Sequence, residues 1–411
     1  MKRSLGQCRK SPPLPPREGG GQLLRSATQT ALTPALSRRE RRLGATLSLA
    51  VCLWFGAALN SGFAAETNRE PVAAQLPQWP KVPGAAFALR NAYFKTPLTA
   101  FDAKGRELMA FECAPRGRGL FGRFHDLVCD GGSFLARNAG PWVGLQVAKS
   151  GAFTIEVTLA PAEAPPKTRG VVLAYADDQG EDFALLQDKT GLSLRLGGTH
   201  TIDLFSPQAG KPVHVLIACD QEKWVAYRDG QPVRSGPLAA GASAWGTRQL
   251  LMGAAWSGAD PWRGRMEGIA LFSHALTAEE VAGEAAAIRA LQAGRKPATT
   301  VRFRGTLVRQ AKTSDLKAIR PYTRSMTLAE YKVEEALAGE WKQPTIKVLH
   351  WMIVDGKRLP IADRKLGAEV ELRVEPLGEH PQLETCRRDD ELDGEIHADL
   401  FYCESEPRRE N

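Results

Sequence analysis

Acidic residues alternate with other residues near the carboxyl end of the sequence, at Glu391, Asp393 and Glu395. On a β-strand, alternate side chains share one face, so these carboxylates would line up. Two carboxylates about 5 Å apart are what retaining hydrolysis of a glycosidic bond needs. Gly394 and the charged run before the motif are typical of a solvated loop instead. We therefore predict no catalytic residue here.

The densest acidic turn of the central region consists of Asp177, Asp178, Glu181 and Asp182. Carboxylate oxygens are the ligands that Ca²⁺ prefers, so this turn is a candidate metal site, and Ca²⁺ is the one cofactor that the sequence suggests. The alternative is a hairpin turn solvated by water. We favour the hydrated turn because the spacing lacks the regular alternation of a calcium-binding loop.

Four tryptophans lie next to Gly, Pro or Ser residues of turns, namely Trp142, Trp245, Trp256 and Trp262. Indole rings stack on the apolar face of a pyranose ring while polar neighbours bind its hydroxyl groups. The strongest candidate is the loop from Trp256 to Arg263, because it combines two rings with the acid Asp260 and the base Arg263. These residues are our candidate ligand-binding set.

Motifs of catalysis are missing from the sequence. The histidines lack the spacing of a zinc site, and there is no Gly-x-Ser-x-Gly elbow, no phosphate-binding glycine loop and no dinucleotide fingerprint. We therefore predict that the protein is not an enzyme.

The excess of positive over negative charge comes entirely from the amino-terminal end of the sequence. The formal net charge is +8, and residues 1–65 contain ten Lys or Arg residues against two acidic ones. The remaining chain has 44 basic and 44 acidic residues. A nucleic-acid partner would require basic charge on the folded part of the chain, so we predict none.

Residues 1–65 have the pattern of a signal segment, in which an arginine-rich run precedes an apolar stretch and small residues that end at Ala65. We predict cleavage after Ala64 or after Ala65, a secreted, periplasmic or cell-envelope location, and no membrane contact after cleavage. The alternative is an uncleaved membrane anchor. We interpret residues 1–37 as sequence upstream of the true start, and residues 66–84 as a linker.

Five cysteines follow the signal segment, and in an oxidising compartment they are disulfide candidates. Cys113 and Cys129 enclose a loop rich in Gly and Arg, and Cys386 and Cys403 enclose an acidic one. We predict local pairing within each couple, with a stabilisation of about 3 kcal/mol for each bond. Cys219 lies in an apolar run and is expected to be a core residue.

The elements that must position these residues are strands, because strand-like runs and turn signals alternate about every ten residues along the central region. The alternation from Phe153 to Leu159 predicts a strand with one buried face and one solvent face. Asp229 and Gly230 predict a two-residue hairpin. Thr277 and Glu280 predict a capping box at the start of a helix.

Five elements follow one another in a fixed order: an apolar strand in Val213–Asp220, a Tyr-x-Asp-Gly hairpin in Trp224–Gly230, a strand ending in Gly in Gln249–Gly253, a strand in Trp262–Phe272, and a helix start in Leu276–Val281. This series resembles the second half of a LamG-like jelly-roll domain of the concanavalin A-like lectin/glucanase superfamily. The resemblance covers residues 85–293. It implies a sandwich fold, a core position for Trp262, and a superfamily that contains lectins, enzymes and interaction modules.

The carboxyl-terminal part shows a second series of strands, at Val301–Val308, Ala329–Leu337, Thr345–Val354, Glu369–Val374 and Ala398–Tyr402. The run from Tyr331 to Gly339, with Ile346–His350 after it, is similar to the small OB-like barrels of secreted netrin-type modules. Five strands suit such a barrel.

The sequence thus predicts an all-β protein, with a concanavalin A-like jelly-roll sandwich in residues 85–296 followed by a small OB-like β-barrel domain in residues 297–411. The predicted function is non-catalytic binding of a carbohydrate, such as an envelope or extracellular polysaccharide, or of a protein ligand. The alternative is a polysaccharide-active hydrolase or lyase built on the sandwich.

Overall fold

The computed structural model describes residues 88–91, 98–102, 104, 106–239, 245–392 and 399–404. The predicted signal segment and linker lie outside the described residues, as do Asp393 and Glu395 of the alternating acidic motif. Within the described part of the chain, no helix is long and apolar enough to cross a membrane.

The elements before residue 295 are strands with two helices, α1 (Ala139–Ser150) and α2 (Ala278–Gly294). The strands are β1 (Ala88–Asn91), β2 (Leu98–Phe101), β3 (Glu107–Phe111), β4 (Cys113–Gly117), β5 (Leu120–Phe121), β6 (Leu127–Asp130), β7 (Gly132–Ala136), β8 (Phe153–Pro161), β9 (Gly170–Asp177), β10 (Gly180–Asp188), β11 (Gly191–Leu196), β12 (His200–Asp203), β13 (Val213–Cys219), β14 (Lys223–Arg228), β15 (Gln231–Pro237), β16 (Gln249–Met252) and β17 (Arg263–Phe272).

These strands form the two sheets of a sandwich. The first sheet has the order β15-β14-β13-β8-β17-β1-β2-β3, with β6 also paired to β17 and β5 to β6. The second sheet has the order β12-β11-β10-β9-β16-β7-β4. One apolar core contains side chains of both sheets, such as Ile155 and Val157 of β8 and Phe183 and Leu185 of β10. The predicted sandwich is therefore confirmed.

Strand β8 is buried on both faces, so the prediction of a solvent face was wrong. Its outward-facing Glu156 and Thr158 are as inaccessible as its core residues. The reason is α2 and the segment before it, because Val281 packs with Leu216 and Phe272 in a second apolar cluster outside the first sheet. A strand covered on both faces needs a second layer, which alternation along one strand does not reveal.

Local turn and cap signals are confirmed. The Thr277 hydroxyl accepts the N–H of Glu280 at 3.3 Å, and the Thr277 N–H donates to Oε2 of Glu280 at 2.8 Å, which completes the capping box of α2. Asp229 and Gly230 join β14 to β15 with φ values of 52° and 84°. Positive φ at both positions is the type I′ hairpin turn that an Asp-Gly pair favours.

The remaining described strands form a barrel. They are β18 (Val301–Gln310), β19 (Ser325–Ala338), β20 (Thr345–Val354), β21 (Lys357–Arg358), β22 (Glu369–Pro376), β23 (Arg388–Asp389) and β24 (Phe401–Tyr402), with short 3₁₀ turns at Pro360–Asp363, Leu377–Glu379 and Pro381–Leu383. The order β20-β24-β22-β18-β19 closes because β19 also pairs with β20. The predicted five-stranded barrel is therefore confirmed.

Neither predicted disulfide is present. All five cysteines of the described residues are free thiols. Cys113 lies on β4 of the second sheet and Cys129 on β6 of the first, and both pack as thiols in the apolar core. Cys386 packs in the apolar cluster of Tyr402, whereas Cys403 packs in the other barrel cluster. Neighbours along a strand point to opposite faces, which keeps this couple apart.

Candidate ligand-binding cleft between the sandwich and the barrel

Two of the four candidate tryptophans are core residues. Trp245 is 5% exposed and its ring centroid lies 4.7 Å from Phe153 and 4.9 Å from Phe183. Trp262 is 2% exposed, and its Nε1 donates a hydrogen bond of 2.6 Å to Oε1 of Gln187. Neither ring can stack on a ligand, which corrects the prediction for both residues. The core position that the LamG resemblance implied for Trp262 is the one observed.

The other two tryptophans are partly exposed. Trp142 on α1 packs against Phe111, with 5.9 Å between the ring centroids. Trp256 packs on the outward face of the second sheet, and the guanidinium of Arg116 lies 5.6 Å from its ring centroid. Trp256 thus already has a cation on its ring, although part of it remains accessible.

The polar residues of the same loop take part in ion pairs. The Asp260 carboxylate accepts a hydrogen bond of 2.6 Å from the Arg169 guanidinium. Arg263 lies 3.0 Å from Asp130 and 3.7 Å from Glu163. The charges of Asp260 and Arg263 are therefore largely neutralised by neighbours of this chain.

The acidic turn is held by arginines. Arg248 contacts Asp177 at 2.7 Å and Asp182 at 3.4 Å, and Arg195 contacts Glu181 at 2.7 Å. The fourth member, Asp178, is exposed. Over the described ranges, no group of three or more His, Cys, Asp or Glu residues is arranged to hold a metal ion. The structure thus gives the predicted Ca²⁺ site no support, because three of its four carboxylates are paired with arginines.

A different site lies where the sandwich meets the barrel, and we refer to it as the cleft. It has a volume of about 460 Å³. It is lined by Arg123, Phe124, Arg265, Arg295, Lys296, Pro297, Ala298, Arg373, Glu375, His380, Tyr402 and Glu404. A volume of this size is within the range of small-ligand sites in proteins.

The sandwich wall of the cleft is a tight turn between β5 and β6. The N–H of Gly122 donates to the carbonyl of Asp126 at 2.8 Å, and the N–H of Phe124 donates to the Asp126 carboxylate at 3.2 Å. A Cβ at Gly122 would lie 2.3 Å from that carboxylate, so only glycine fits there. The turn therefore presents Arg123 and Phe124 to the barrel in a fixed conformation.

Arginines join the two parts across the cleft. Arg123 contacts the Glu379 carboxylate at 2.9 Å and donates to the Glu379 carbonyl at 3.1 Å, with a side chain only 14% exposed. Arg265 of β17 contacts Asp126 at 3.1 Å and Glu404 at 2.6 Å. Burial alone would lower the pKa of Arg265, but Asp126 and Glu404 raise it above its ordinary value. These pairs fix the walls relative to each other.

The barrel wall contains a buried polar chain. The Trp351 indole N–H donates to the Tyr402 hydroxyl at 3.1 Å, and the His380 ring lies edge-on to the Tyr402 ring with 4.8 Å between centroids. Nε2 of His380 lies 3.1 Å from Oε2 of Glu375. Contact with His380, and then the charges of Arg373 and Arg123, lower the pKa of Glu375. Burial raises the pKa of Tyr402 well above its ordinary value.

The lowered pKa of Glu375 favours its ionised form, and the raised pKa of Tyr402 favours its protonated form. An ionised Glu375 does not donate a proton to a leaving group, and a protonated, buried Tyr402 does not abstract one. What the cleft offers instead is an aromatic ring and cationic donors: the Arg295 guanidinium stands 4.5 Å from the Phe124 ring centroid and contacts Glu267 at 2.8 Å.

Sequence reasoning missed all the residues of the cleft. Arg123 and Phe124 lie in the Gly- and Arg-rich loop that we interpreted as a disulfide loop, and His380 was one of seven scattered histidines. The available signal was the arginine content of that loop, since arginine is enriched at interfaces. Nothing in the sequence pairs this turn with residues some 250 positions later, such as Glu379.

Part of the sandwich matches a family model. Residues 140–282 match the laminin G family model of the concanavalin A-like lectin/glucanases superfamily. The LamG-like resemblance is thereby confirmed for this part of the chain. Comparison with curated proteins gives no match.

Among solved structures, the chain is similar to Trypanosoma rangeli sialidase in complex with the inhibitor DANA, at 16% identity and a TM-score of 0.36, over 49% of this chain and 32% of the sialidase. It is also similar to domain 4 of a GH43 extracellular arabinanase from Geobacillus stearothermophilus in complex with arabinotriose, at 17% identity and a TM-score of 0.34, over 45% of this chain and 91% of that domain.

A third similarity is to the binding domain of botulinum neurotoxin serotype D/C, at 10% identity and a TM-score of 0.39, over 71% of this chain and 82% of that domain. The chain spans about a third of the sialidase's length. At these identities and TM-scores, the similarities do not indicate a shared function.

Proposed function

We propose that the protein is an exported, non-catalytic carbohydrate-binding protein that holds its ligand in the cleft between the sandwich and the barrel. The observation that carries the proposal is the composition of the cleft, in which guanidinium groups and the Phe124 ring surround about 460 Å³. Aromatic rings and fixed hydrogen-bond donors are the usual elements of a sugar site. In the cleft, Arg295 and Arg123 are held over the Phe124 ring, at 4.5 Å and 5.2 Å from its centroid, so the ring helps to fix the donors that meet the hydroxyl groups.

The rigidity of the cleft supports a binding role. Arg123 and Arg265 are committed to ion pairs that fix the walls, so the ligand meets a preformed site and little ordering free energy opposes binding. The superfamily of the sandwich contains lectins as well as enzymes, so the fold is compatible with this role but does not select it.

The absence of turnover is part of the proposal. Most glycosidases use one carboxylic acid with a raised pKa beside an ionised partner, and the pKa of Glu375 is instead lowered. Base-catalysed elimination by a lyase requires an accessible base, and the Tyr402 hydroxyl is buried against Trp351. We therefore expect retention of glycans without cleavage.

A glycan array with the purified protein, followed by calorimetric titration of each hit, tests the proposal. Phe124→Ala removes the ring of the cleft, and Trp256→Ala removes the partly exposed ring at the sandwich end as a matched control. We expect at least about tenfold weaker binding for Phe124→Ala and unchanged binding for Trp256→Ala, with thermal unfolding measured for both variants. The reverse order of effects would place the ligand at the Trp256 loop and overturn the cleft.

Incubation of the same glycans with the protein tests the enzyme alternative. Release of reducing ends or of unsaturated products above the level of a Phe124→Ala sample would contradict the non-catalytic role. Binding without release would support it, and the titrations should be repeated with EDTA, to which we expect no response because arginines neutralise the acidic turn.

A further inference from the structure

We propose that the ligand of the cleft carries an anionic group, a carboxylate or a sulfate on the sugar, and that Lys296 and Arg373 bind it. This inference rests on the proposed function, since it names the class of carbohydrate that the same site takes. Some cations of the cleft are paired with carboxylates of the chain, whereas Lys296 and Arg373 keep most of their charge for a ligand.

Five basic and two acidic side chains line the cleft. Three of the five basic ones are taken by carboxylates of the chain: Arg123 by Glu379 at 2.9 Å, Arg265 by Glu404 at 2.6 Å, and Arg295 by Glu267 at 2.8 Å. These three hold the walls and contribute little net charge to a ligand.

Lys296 and Arg373 are different. Lys296 is exposed, and none of the carboxylates in the described residues forms an ion pair with its ammonium group. Its backbone is fixed, because its carbonyl accepts the Arg123 guanidinium at 3.1 Å. Arg373 is 69% exposed, and the carboxylate it contacts is that of Glu375, at 3.7 Å. Both cations therefore stand at the cleft with donors to spare.

The acid nearest to Arg373 is already engaged. Oε1 of Glu375 faces Arg373, and Oε2 lies 3.1 Å from Nε2 of His380. The charge of Glu375 is thus offset from two sides, and it repels an anion at Lys296 and Arg373 less than an isolated carboxylate would.

His380 also favours an anion in the cleft, because it offsets the charge of Glu375. The side chain is 2% exposed and lines the cleft. Its Nδ1 lies 3.2 Å from the donating amide nitrogen of Gln382, so Nδ1 accepts and Nε2 carries the hydrogen. Nε2 faces Oε2 of Glu375 at 3.1 Å, and this contact is the largest cause of the lowered pKa of Glu375.

The test compares ligands that differ only in charge. Calorimetric titrations use oligogalacturonate against its methyl ester for the carboxylate, and a sulfated oligosaccharide against its desulfated form for the sulfate. We expect the charged member of one pair to bind at least about tenfold more tightly, with affinity that falls as salt is raised. The pair that shows the difference identifies the anionic group.

Protein variants assign the effect to the two cations. The double variant Lys296→Gln/Arg373→Gln should bind the charged and the neutral member of the pair with similar affinity, so that the preference for the charged ligand is lost. The double variant Lys332→Gln/Lys357→Gln removes two exposed lysines elsewhere on the barrel and serves as the charge-matched control. Unchanged preference in the Lys296/Arg373 variant would overturn the assignment of these residues.

The outcomes separate this inference from the proposed function. Equal binding of the charged and neutral members of both pairs would overturn the anionic ligand and leave the carbohydrate-binding role intact. Failure to bind any glycan, charged or neutral, would overturn the proposed function itself. A poly-glutamate arm completes the design, because binding of this acidic peptide without binding of any glycan would overturn both and point to a protein ligand.

Discussion

Replacing Arg324 with methionine is expected to loosen the joint between the sandwich and the barrel. Arg324 immediately precedes β19, and its guanidinium donates hydrogen bonds to the carbonyl oxygens of Gly119 at 2.6 Å and Gly117 at 3.2 Å. Burial lowers the pKa of Arg324, which reflects how little water reaches the guanidinium. Methionine keeps most of the stem and removes both donors.

The magnitude follows from the burial of the two acceptors. A hydrogen bond to a charged group contributes about 1.5–3 kcal/mol, and Gly119 is buried whereas Gly117 is within reach of water. Losing the hydrogen bond to Gly119 in full and the one to Gly117 in part lowers the free energy of unfolding by about 3 kcal/mol. Removing a charge that is desolvated in the folded protein raises it again by about 1 kcal/mol. We therefore expect the free energy of unfolding to fall by about 2 kcal/mol.

Urea denaturation followed by tryptophan fluorescence and circular dichroism measures this change. Lys332→Met, which removes an exposed cation from β19, is the matched control and should change the free energy of unfolding by less than about 0.5 kcal/mol. We also expect weaker ligand binding for Arg324→Met, because the cleft depends on the joint. An Arg324→Met protein that unfolds within about 0.5 kcal/mol of the parent, in the same single transition, would refute the reasoning.

Three further predictions concern groups buried away from the cleft. Trp262→Phe should lower the free energy of unfolding by about 2–3 kcal/mol, since it leaves the buried amide oxygen of Gln187 without its 2.6 Å donor. Glu156→Leu should lower the free energy of unfolding by about 2 kcal/mol, because it leaves the buried His214 ring, 3.1 Å away, without its partner. The double variant Glu156→Leu/His214→Leu should recover part of that loss. Burial, and then the charge of Arg364, lower the pKa of His350 to about 3. As the pH drops from about 6.5 towards 3, the unfolded chain therefore takes up a proton at this histidine before the folded chain does, and the free energy of unfolding falls by up to about 1.4 kcal/mol per pH unit. In the His350→Gln variant, the free energy of unfolding should depend less steeply on pH. Urea denaturation measures all three.

Each of these predictions has a matched comparison. Trp256→Phe, at the partly exposed ring, should change the free energy of unfolding by less than about 0.5 kcal/mol. His200→Gln, at an exposed histidine, should keep the pH dependence of the parent. A double variant at Glu156 and His214 that loses as much as the two single variants combined would contradict a direct interaction between them. An unchanged slope for His350→Gln would contradict a buried neutral imidazole.

Signals that act within a few residues predicted the fold well. The Asp229–Gly230 turn and the Thr277 capping box depend on neighbouring atoms, and both are present. Helix α1 escaped prediction because Gly140 and Gly144 read as turn residues. Both glycines are needed for close packing instead. A Cβ at Gly140 would lie 2.0 Å from the Arg248 carbonyl oxygen, and a Cβ at Gly144 would lie 2.3 Å from the Gly246 carbonyl oxygen. A glycine required by close approach looks, in sequence, like a glycine required by a turn.

The candidate site depends on faces and distances that spacing along the chain does not encode. Cys386 and Cys403 enclose a short loop, yet they pack in different clusters of the barrel. Trp245 has the glycine neighbours of a loop residue, yet it lies between Phe153 and Phe183 in the core. Long-range packing decides both, and one sequence read locally gives the wrong answer for each.

Charge is the property for which the fold adds most to the sequence. Beyond residue 65 the basic and acidic residues balance, so composition predicts no electrostatic site at all. The fold divides the cations unequally: Arg123 is clamped by Glu379 at 2.9 Å, whereas Arg373 has a carboxylate no nearer than 3.7 Å and a side chain 69% exposed. A neutral protein can therefore have a cationic site, provided that its ion pairs form elsewhere. Because this division of charge exists only when the sandwich and the barrel are joined, loss of the Arg324 joint should reduce the preference for an anionic ligand as well as the affinity.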